Sequence, residues 1–339
     1  MTDAVRAPAL AGQRVRFALP PELRSRCIDH APFLIACAVL VLLLGIYAAI
    51  RPDALSATEL NADAAAAMAL LLAGTGQTLV LLLGGIDLSI GGVISLSTAL
   101  AATGFGDTAA SVAAVSLAVL ALGALVGLAN GVLIAGLRLQ PFLVTLATSS
   151  ITGGTALMVL PTEGGHVPDL WTGLCNATPF GLSSAVFVLA ALLGFWAWFR
   201  LTRLGLAIRA CGSNARSAFL SGVSLGRVNL ATYGLSGAFA ALAGLFLTGQ
   251  TGSGSPTVGA DFVLPSVAAA VIGGVSLFGG RGGLMGTVVG GFILTIIGNL
   301  VFVLRVSTFW QPIVSGVILL GAVVASSLAE RSAVRSGGG

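Results

Sequence analysis

Apolar residues fall in long blocks separated by short polar breaks, and the block lengths set the first expectation. A helix needs about 20 mostly apolar residues to cross the hydrocarbon core of a bilayer, with a range near 17 to 25. On that criterion ten segments qualify: 32–50, 64–84, 89–104, 111–135, 141–160, 184–199, 228–249, 262–279, 283–304 and 312–328. The third, sixth, eighth and tenth are short. Short, glycine-interrupted segments are expected where broken helices line a cavity, because freed backbone groups there meet protein or water instead of lipid. The pattern therefore predicts an all-α polytopic membrane protein of about ten transmembrane helices, some short or broken. It divides the chain into a polar tail over 1–30, one transmembrane domain over 31–330 and a tail over 331–339.

Composition agrees with that class. Hydrophobic residues make up 56% and charged residues 8%, whereas a soluble domain carries about 25% charged residues. All sixteen basic residues are Arg. With no Lys, the chain cannot form a Walker A loop, whose lysine reaches the β- and γ-phosphates. The net charge of +4 is explained by membrane topology without invoking nucleic acid. Cys27, Cys37, Cys175 and Cys211 have no paired spacing and neither histidine near them, so no metal cluster or disulfide framework is indicated. The first apolar block is longer than the core of a secretory signal, about 7 to 15 residues, and reads as an uncleaved span.

Arginine gives an independent test of orientation, because loops retained in the cytoplasm carry the basic excess. With the N-terminus inside and ten spans, only Arg51 and Arg305 of the sixteen fall outside. The acids go the other way: Asp53, Glu59, Asp63, Asp107, Glu163, Asp169 and Asp261 all fall in outer segments. Both termini are therefore expected in the cytoplasm. Residues 200–227 form the long polar interruption between spans, carrying five arginines and no acid. A charged loop held against the cytoplasmic face is a docking surface for a partner.

Two glycine-rich segments resemble each other, Leu83 to Gly92 and Ile272 to Gly283, and both lie at inner ends of outward-to-inward spans. A parallel internal repeat fits that sense; close helix packing through small residues is the plainer account. Asp87 is the acid placed beside an apolar core. Two roles fit it: a cap on the free N–H groups of the next helix, or an ionisable group in transport or gating. The other polar residues within spans are neutral, among them Asn130, Thr145, Thr148, Ser149 and Asn299. Ion-coupled carriers need internal acids, bases or Arg. Hydroxyls and amides suit a neutral, hydroxyl-rich solute, and helix-to-helix hydrogen bonding accounts for them equally simply.

Four stretches carry a family resemblance: Gly84 to Ala102 (GGIDLSIGGVISLSTALAA), Leu128 to Thr148, Arg209 to Val228 (RACGSNARSAFLSGVSLGRV) and Val271 to Gly290. They resemble, in the expected order, the permease subunits of ribose/autoinducer-type ABC sugar importers. The resemblance implies a permease dimer in the bacterial inner (plasma) membrane, a cytoplasmic ATP-binding subunit and a periplasmic substrate-binding protein. The second copy is either identical or a paralogue. It implies a coupling helix within 212–222, with Gly212, Asn214, Arg216, Ser217, Leu220, Ser221 and Gly222 as the contact residues. Family members often have Pro-Glu where this chain has Ala215-Arg216, so the charge pattern of its ATPase is an open point. The chain itself is expected to need no cofactor, ATP and Mg²⁺ being bound by the partner. Outer segments 51–63, 161–184 and 250–261 are expected to meet the binding protein. The rival readings are a branched-chain amino acid permease of the same architecture and a self-contained secondary carrier or channel. An intramembrane enzyme is disfavoured because His30 and His166 fall on opposite sides of the membrane.

Overall fold

The computed structural model describes residues 21–305 and, beyond them, residues 310, 313, 316, 317, 320 and 321. Most of the tenth expected span, most of the N-terminal tail and the C-terminal tail lie outside the described residues. In chain order the helices are α1 (Pro21–Ile50), α2 (Ala57–Leu83), α3 (Ser89–Gly104), α4 (Ala109–Gly136), α5 (Pro141–Val159), α6 (Asp169–Cys175), α7 (Ser184–Phe199), α8 (Arg203–Ser213), α9 (Ala215–Leu220), α10 (Leu225–Thr251), α11 (Ala260–Ile272) and α12 (Leu284–Val303). Six are long and apolar enough to cross a membrane, and a seventh span results if the bent pair around α6 and α7 is counted as one. The other two expected segments are the short apolar helices α3 and α11.

Burial separates the helices into a centre and a periphery. α2 is buried along most of its length, from Ala67 to Leu82 without a break, while α1, α4, α5 and α7 keep large apolar side chains exposed. Leu34, Leu125, Ile151, Met158 and Trp198 are among the exposed ones. In a bilayer such faces are covered by lipid tails or by another membrane helix, so their exposure here reflects the apolar surroundings they are built for.

α10 packs along α4 through a glycine seam. Gly123, Gly127 and Gly131 follow one another every four residues and so share one face of α4. A Cβ on Gly127 would collide with the Tyr233 carbonyl oxygen, and one on Gly131 would lie 2.7 Å from the Leu230 Cα. Small residues bring helix backbones together where water supplies no hydrophobic drive between them. This seam is readable in the sequence as a run of small residues spaced by four, a signal independent of apolar run length.

Chain breaks deep in the bundle are held by side-chain hydroxyls. Between α10 and α11 the backbone leaves helix and descends alongside α3. Gly164 and Gly254 exchange a backbone pair at the top of this descent. Below it, Thr98 Oγ1 donates to the Ser255 carbonyl at 2.6 Å, and the Gly259 N–H donates to Ser95 Oγ at 3.0 Å. Gly259 ends against Gly91, in the first turn of α3, where a Cβ would meet its carbonyl oxygen at 2.8 Å. From Thr98 to Gly91 is about 10 Å along the helix axis. Segment 250–261 is thus anchored against α3 through the buried Gly254, Pro256 and Gly259, while Thr251, Gly252, Thr257, Ala260 and Asp261 stay exposed.

The two glycine pairs end α2 and α11 with the same hydrogen bonds. Gly84 N–H donates to the Leu81 carbonyl and Gly85 N–H to Val80; Gly274 N–H donates to Val271 and Val275 N–H to Ala270. This is the Schellman cap, which needs a left-handed residue after the helix. The left-handed residue is the first glycine of one pair, Gly84 at φ +90°, and the second of the other, Gly274 at φ +88°.

One substitution tests the seam. Gly127→Leu is expected to destabilise the protein by about 1–3 kcal/mol through overpacking, read as a lower thermal midpoint in detergent. An unchanged midpoint would show that α4 and α10 do not meet at this glycine.

Candidate functional site

Two regions carry the predicted residues: a polar chain inside the bundle and an exposed double helix at the arginine-rich end. The inner chain starts at Asp87, in the break between α2 and α3, whose side chain is 1% exposed. Its Oδ1 accepts from the Ser89 N–H at 2.9 Å and from Ser89 Oγ at 2.5 Å. Its Oδ2 accepts from Ser236 Oγ on α10 at 2.7 Å. Asn130 Nδ2 on α4 donates to Ser89 Oγ at 2.9 Å, and Thr148 Oγ1 on α5 donates to Asn130 Oδ1 at 2.6 Å. One continuous path of hydrogen bonds thus ties α10, α3, α4 and α5 together. Thr145 joins its edge, donating to the Pro141 carbonyl at 2.9 Å and to the Ile86 carbonyl at 3.3 Å.

The chemistry of this cluster is that of a satisfied buried acid. A carboxyl group without partners in an apolar interior is costly, and here each oxygen has at least one donor. By binding the N–H of Ser89, Asp87 also serves one of the free donors at the start of α3. Ser149 contributes its main chain, which lies against Gly92 with the Ser149 Cα 2.9 Å from an added Cβ. Asn299 is not part of this group. It sits on α12 and donates from Nδ2 to Asp63 Oδ1 at 2.6 Å. Asp63 is correspondingly inside α2 and buried, which corrects its expected place in an outer loop: α2 starts seven residues earlier than the apolar block, at Ala57, with Ser56 accepting from the Glu59 N–H as cap.

The exposed region is built from α8 and α9. Thr202 caps α8 by accepting from the Gly205 N–H at 3.1 Å, and Gly205, Ile208 and Cys211 form its buried face. Arg209 lies over the Trp196 ring at 5.8 Å, a cation–π contact; burial, and then the charge of Arg200, hold its guanidinium below the usual range. Asn214 caps α9, accepting from the Ser217 N–H at 2.9 Å. Gly222, left-handed at φ +85°, closes it, with Gly222 N–H on the Phe219 carbonyl and Val223 N–H on Ala218. Ala218 faces inward, while Phe219 and Leu220 are 63% and 77% exposed. Asn214, Arg216, Ser217, Ser221 and Gly222 are exposed with them.

Gly212 differs from the rest of that set. It is the joint between this region and the bundle: a Cβ there would collide with the Leu82 carbonyl oxygen at the end of α2 and lie 2.7 Å from the Gly280 nitrogen. Gly280 N–H in turn donates to that same Leu82 carbonyl at 2.9 Å. The last turns of α2 and α8 and the turn before α12 therefore meet at one point with no side chain between them.

A bundle of long apolar helices with an amphipathic pair packed rigidly on one end is the build of a multi-pass transport protein, and sequence comparison gives its family. The model of the branched-chain amino acid transport system / permease component family matches residues 62–323. The ribose import permease protein RbsC of Escherichia coli K12 is 36% identical over 257 residues, 74% of this chain and 79% of that protein. The autoinducer 2 import system permease protein LsrC of Enterobacter sp. 638 is 32% identical over 290 residues, 83% of this chain and 82% of that protein. The D-allose transport system permease protein AlsC of Escherichia coli K12 is 30% identical over 299 residues, 86% of this chain and 91% of that protein. No solved structure matches. The chain belongs to this family of ABC-importer permeases and is a multi-pass protein of the bacterial inner (plasma) membrane.

Asp87 separates two roles by substitution. Asp87→Ala strands three buried donors, each worth about 1–3 kcal/mol when its partner is removed, and is expected to lower the thermal midpoint and the yield. Asp87→Asn keeps one acceptor for Ser89 and turns an amide toward the Ser236 hydroxyl, so transport is expected to stay within about threefold of wild type. Loss of transport in Asp87→Asn at normal yield and midpoint would assign the carboxylate to the transport step.

Proposed function

We propose that the chain forms the membrane pathway of an importer for a monosaccharide or related neutral polyol, delivered by a periplasmic binding protein and driven by a separate ATPase that grips α9. The observation that carries this reading is the joint at Gly212. An exposed, arginine-bearing helix pair locked backbone-to-backbone onto the most buried span is what an external motor needs as a handle. The relatives named for ribose, D-allose and autoinducer 2 import favour a sugar over a branched-chain amino acid. ATP and Mg²⁺ belong to the partner in this reading, and the chain carries no cofactor of its own.

The arrangement of charge supports the orientation. Arg138, Arg200, Arg203, Arg216, Arg227 and Arg281 are exposed on segments assigned to the inner side. At the other end, Asp107 pairs with His166 at 2.7 Å, Glu59 pairs with Arg51 at 2.6 Å, and Glu163 accepts from Ser255 at 2.8 Å. Each of these acids has a local partner, and a basic surface on the binding protein would compete for those that stay exposed. Both termini then lie in the cytoplasm.

A second permease copy fits against α5. That helix packs chiefly on α3, and its other face exposes Ala147, Ser150, Ile151, Gly154 and Thr155. Gly153 and Gly154 have open space where a Cβ would stand. Small and hydroxylated residues suit contact with another helix better than contact with lipid tails. The pathway would run along this junction, with Thr148 and Ser149 at its edge and Asp87 and Asn130 as scaffold behind it. Inward- and outward-open states would then be selected by differential binding of the motor and the binding protein.

Uptake into proteoliposomes tests the division of labour. With the ATPase, ATP and loaded binding protein, labelled sugar is expected to accumulate; with the permease alone it is not. Accumulation by the permease alone would make the chain a self-contained carrier. Within the complete system, Leu220→Glu is expected to cut ATPase co-purification roughly tenfold or more, as loss of a central apolar anchor does, and normal co-purification would remove α9 as the handle.

A further inference from the structure

The turn between α11 and α12 presents an aromatic side chain that the fold itself does not use. Phe278 is 67% exposed, at the tip of the sequence Ser276-Leu277-Phe278-Gly279-Gly280-Arg281. The turn is closed by Ser276 N–H donating to the Arg281 carbonyl at 3.1 Å and Phe278 N–H donating to Ser276 Oγ at 3.2 Å. Gly279 and Gly280 are left-handed, at φ +91° and +74°, and lie directly on the end of α8. A Cβ on Gly279 would meet the Gly212 carbonyl oxygen at 2.8 Å, and one on Gly280 would meet the Ser213 Cα at 2.9 Å. Ser213 is followed by Asn214, the cap of α9. Phe278 is therefore held in fixed relation to α9, whose Phe219 and Leu220 are also exposed.

We infer that this turn is a second docking element for the ATPase, with Phe278 as its apolar anchor and Arg281 as its charged flank. The inference rests on the proposed role of α9 and extends it from one contact to two. Three observations select this occupant. The turn is continuous with the α8–α9 surface through Gly212 and Ser213. Residues 200–227 and 273–283 carry six arginines and no acid, a field that steers an acidic partner toward them. A tight glycine turn also exposes backbone groups that lipid tails cannot satisfy, so burial of Phe278 in the hydrocarbon core is a poor alternative. A motor that grips only one six-residue helix holds the permease at a single point and leaves the angle between the two free. A second contact beyond the joint would fix the angle and pass the motor's rotation to α2 and α12 together.

The test uses the assembled transporter. Phe278→Glu, Phe278→Leu and Leu220→Glu are compared for ATPase co-purification, with the thermal midpoint of the permease as the check on folding. A photo-crosslinking amino acid is placed at position 278 of the intact complex as a separate readout. Phe278→Glu is expected to weaken ATPase affinity about tenfold at an unchanged midpoint, and Phe278→Leu to restore most of it. The crosslink is expected on the ATPase. Normal affinity in Phe278→Glu with loss in Leu220→Glu overturns the second contact and leaves α9 docking standing; normal affinity in both removes the docking surface altogether. A crosslink to lipid, with none to the ATPase, would assign Phe278 to the membrane interface.

Discussion

Inside a bilayer, every backbone N–H and C=O needs a partner supplied by the protein, and this structure is organised around three places where its helices break. After α2, the break is served by a Schellman cap at Gly84 and by the Asp87 carboxylate. After α10, the descending segment is served by Thr98, Ser95 and the Gly164 backbone. After α11, a second Schellman cap and a closed glycine turn do the same work. Of the polar residues flagged in the sequence, Asp87 and Thr145 bind backbone groups of the first break, and Asn130 and Thr148 extend the hydrogen bonding from there.

The breaks matter because they bring distant segments into contact. Gly84 and its neighbours place the end of α2 against Phe278, whose carbonyl oxygen lies 3.5 Å from a Cβ built on Gly84. Gly212 packs against both the end of α2 and the same turn. Displacement of α8 must move both, because the backbones touch there with no side chain between them and packed interiors transmit strain. From the end of α2 the Asp87 network continues to α3, α4, α5 and α10, so the region a motor would grip and the helix a second copy would contact are joined by short, directional bonds. Physical continuity of this kind is the structural requirement for coupling.

Much of this was legible in the sequence, for reasons that differ by level. Span lengths and glycine interruptions located nine of the ten segments as helices among the described residues, since apolar run length is fixed by bilayer thickness. The short third and eighth segments appear as α3 and α11, shortened by the breaks at their ends. Asp87, Asn130, Thr145 and Thr148 stand together although 61 positions separate the outermost, Asp87 and Thr148; polarity alone flagged each of them, and only the fold could show the path between them. Ser236 on α10 completes the path, and its polarity does not set it apart from the other neutral residues within spans. The place of Asp63 could not be read, because helix α2 extends past its apolar block into residues whose composition looks like loop. Gly212 was assigned to a docking surface by resemblance, yet its lack of a side chain serves close approach to Leu82; a sequence does not say which of these a glycine is for.

Sidedness is the most direct test of the central claim that an external motor works this permease from the cytosol through α9. Ser217→Cys places a thiol of nearly the same size at an exposed position of α9, and the neighbouring native Cys211 is a poor competitor because burial raises its thiol pKa and shields it. A membrane-impermeant maleimide applied to intact cells should leave Ser217→Cys unlabelled, label a Thr162→Cys control in the outer segment, and reach position 217 only after the membrane is opened. Labelling of position 217 in intact cells would contradict the account.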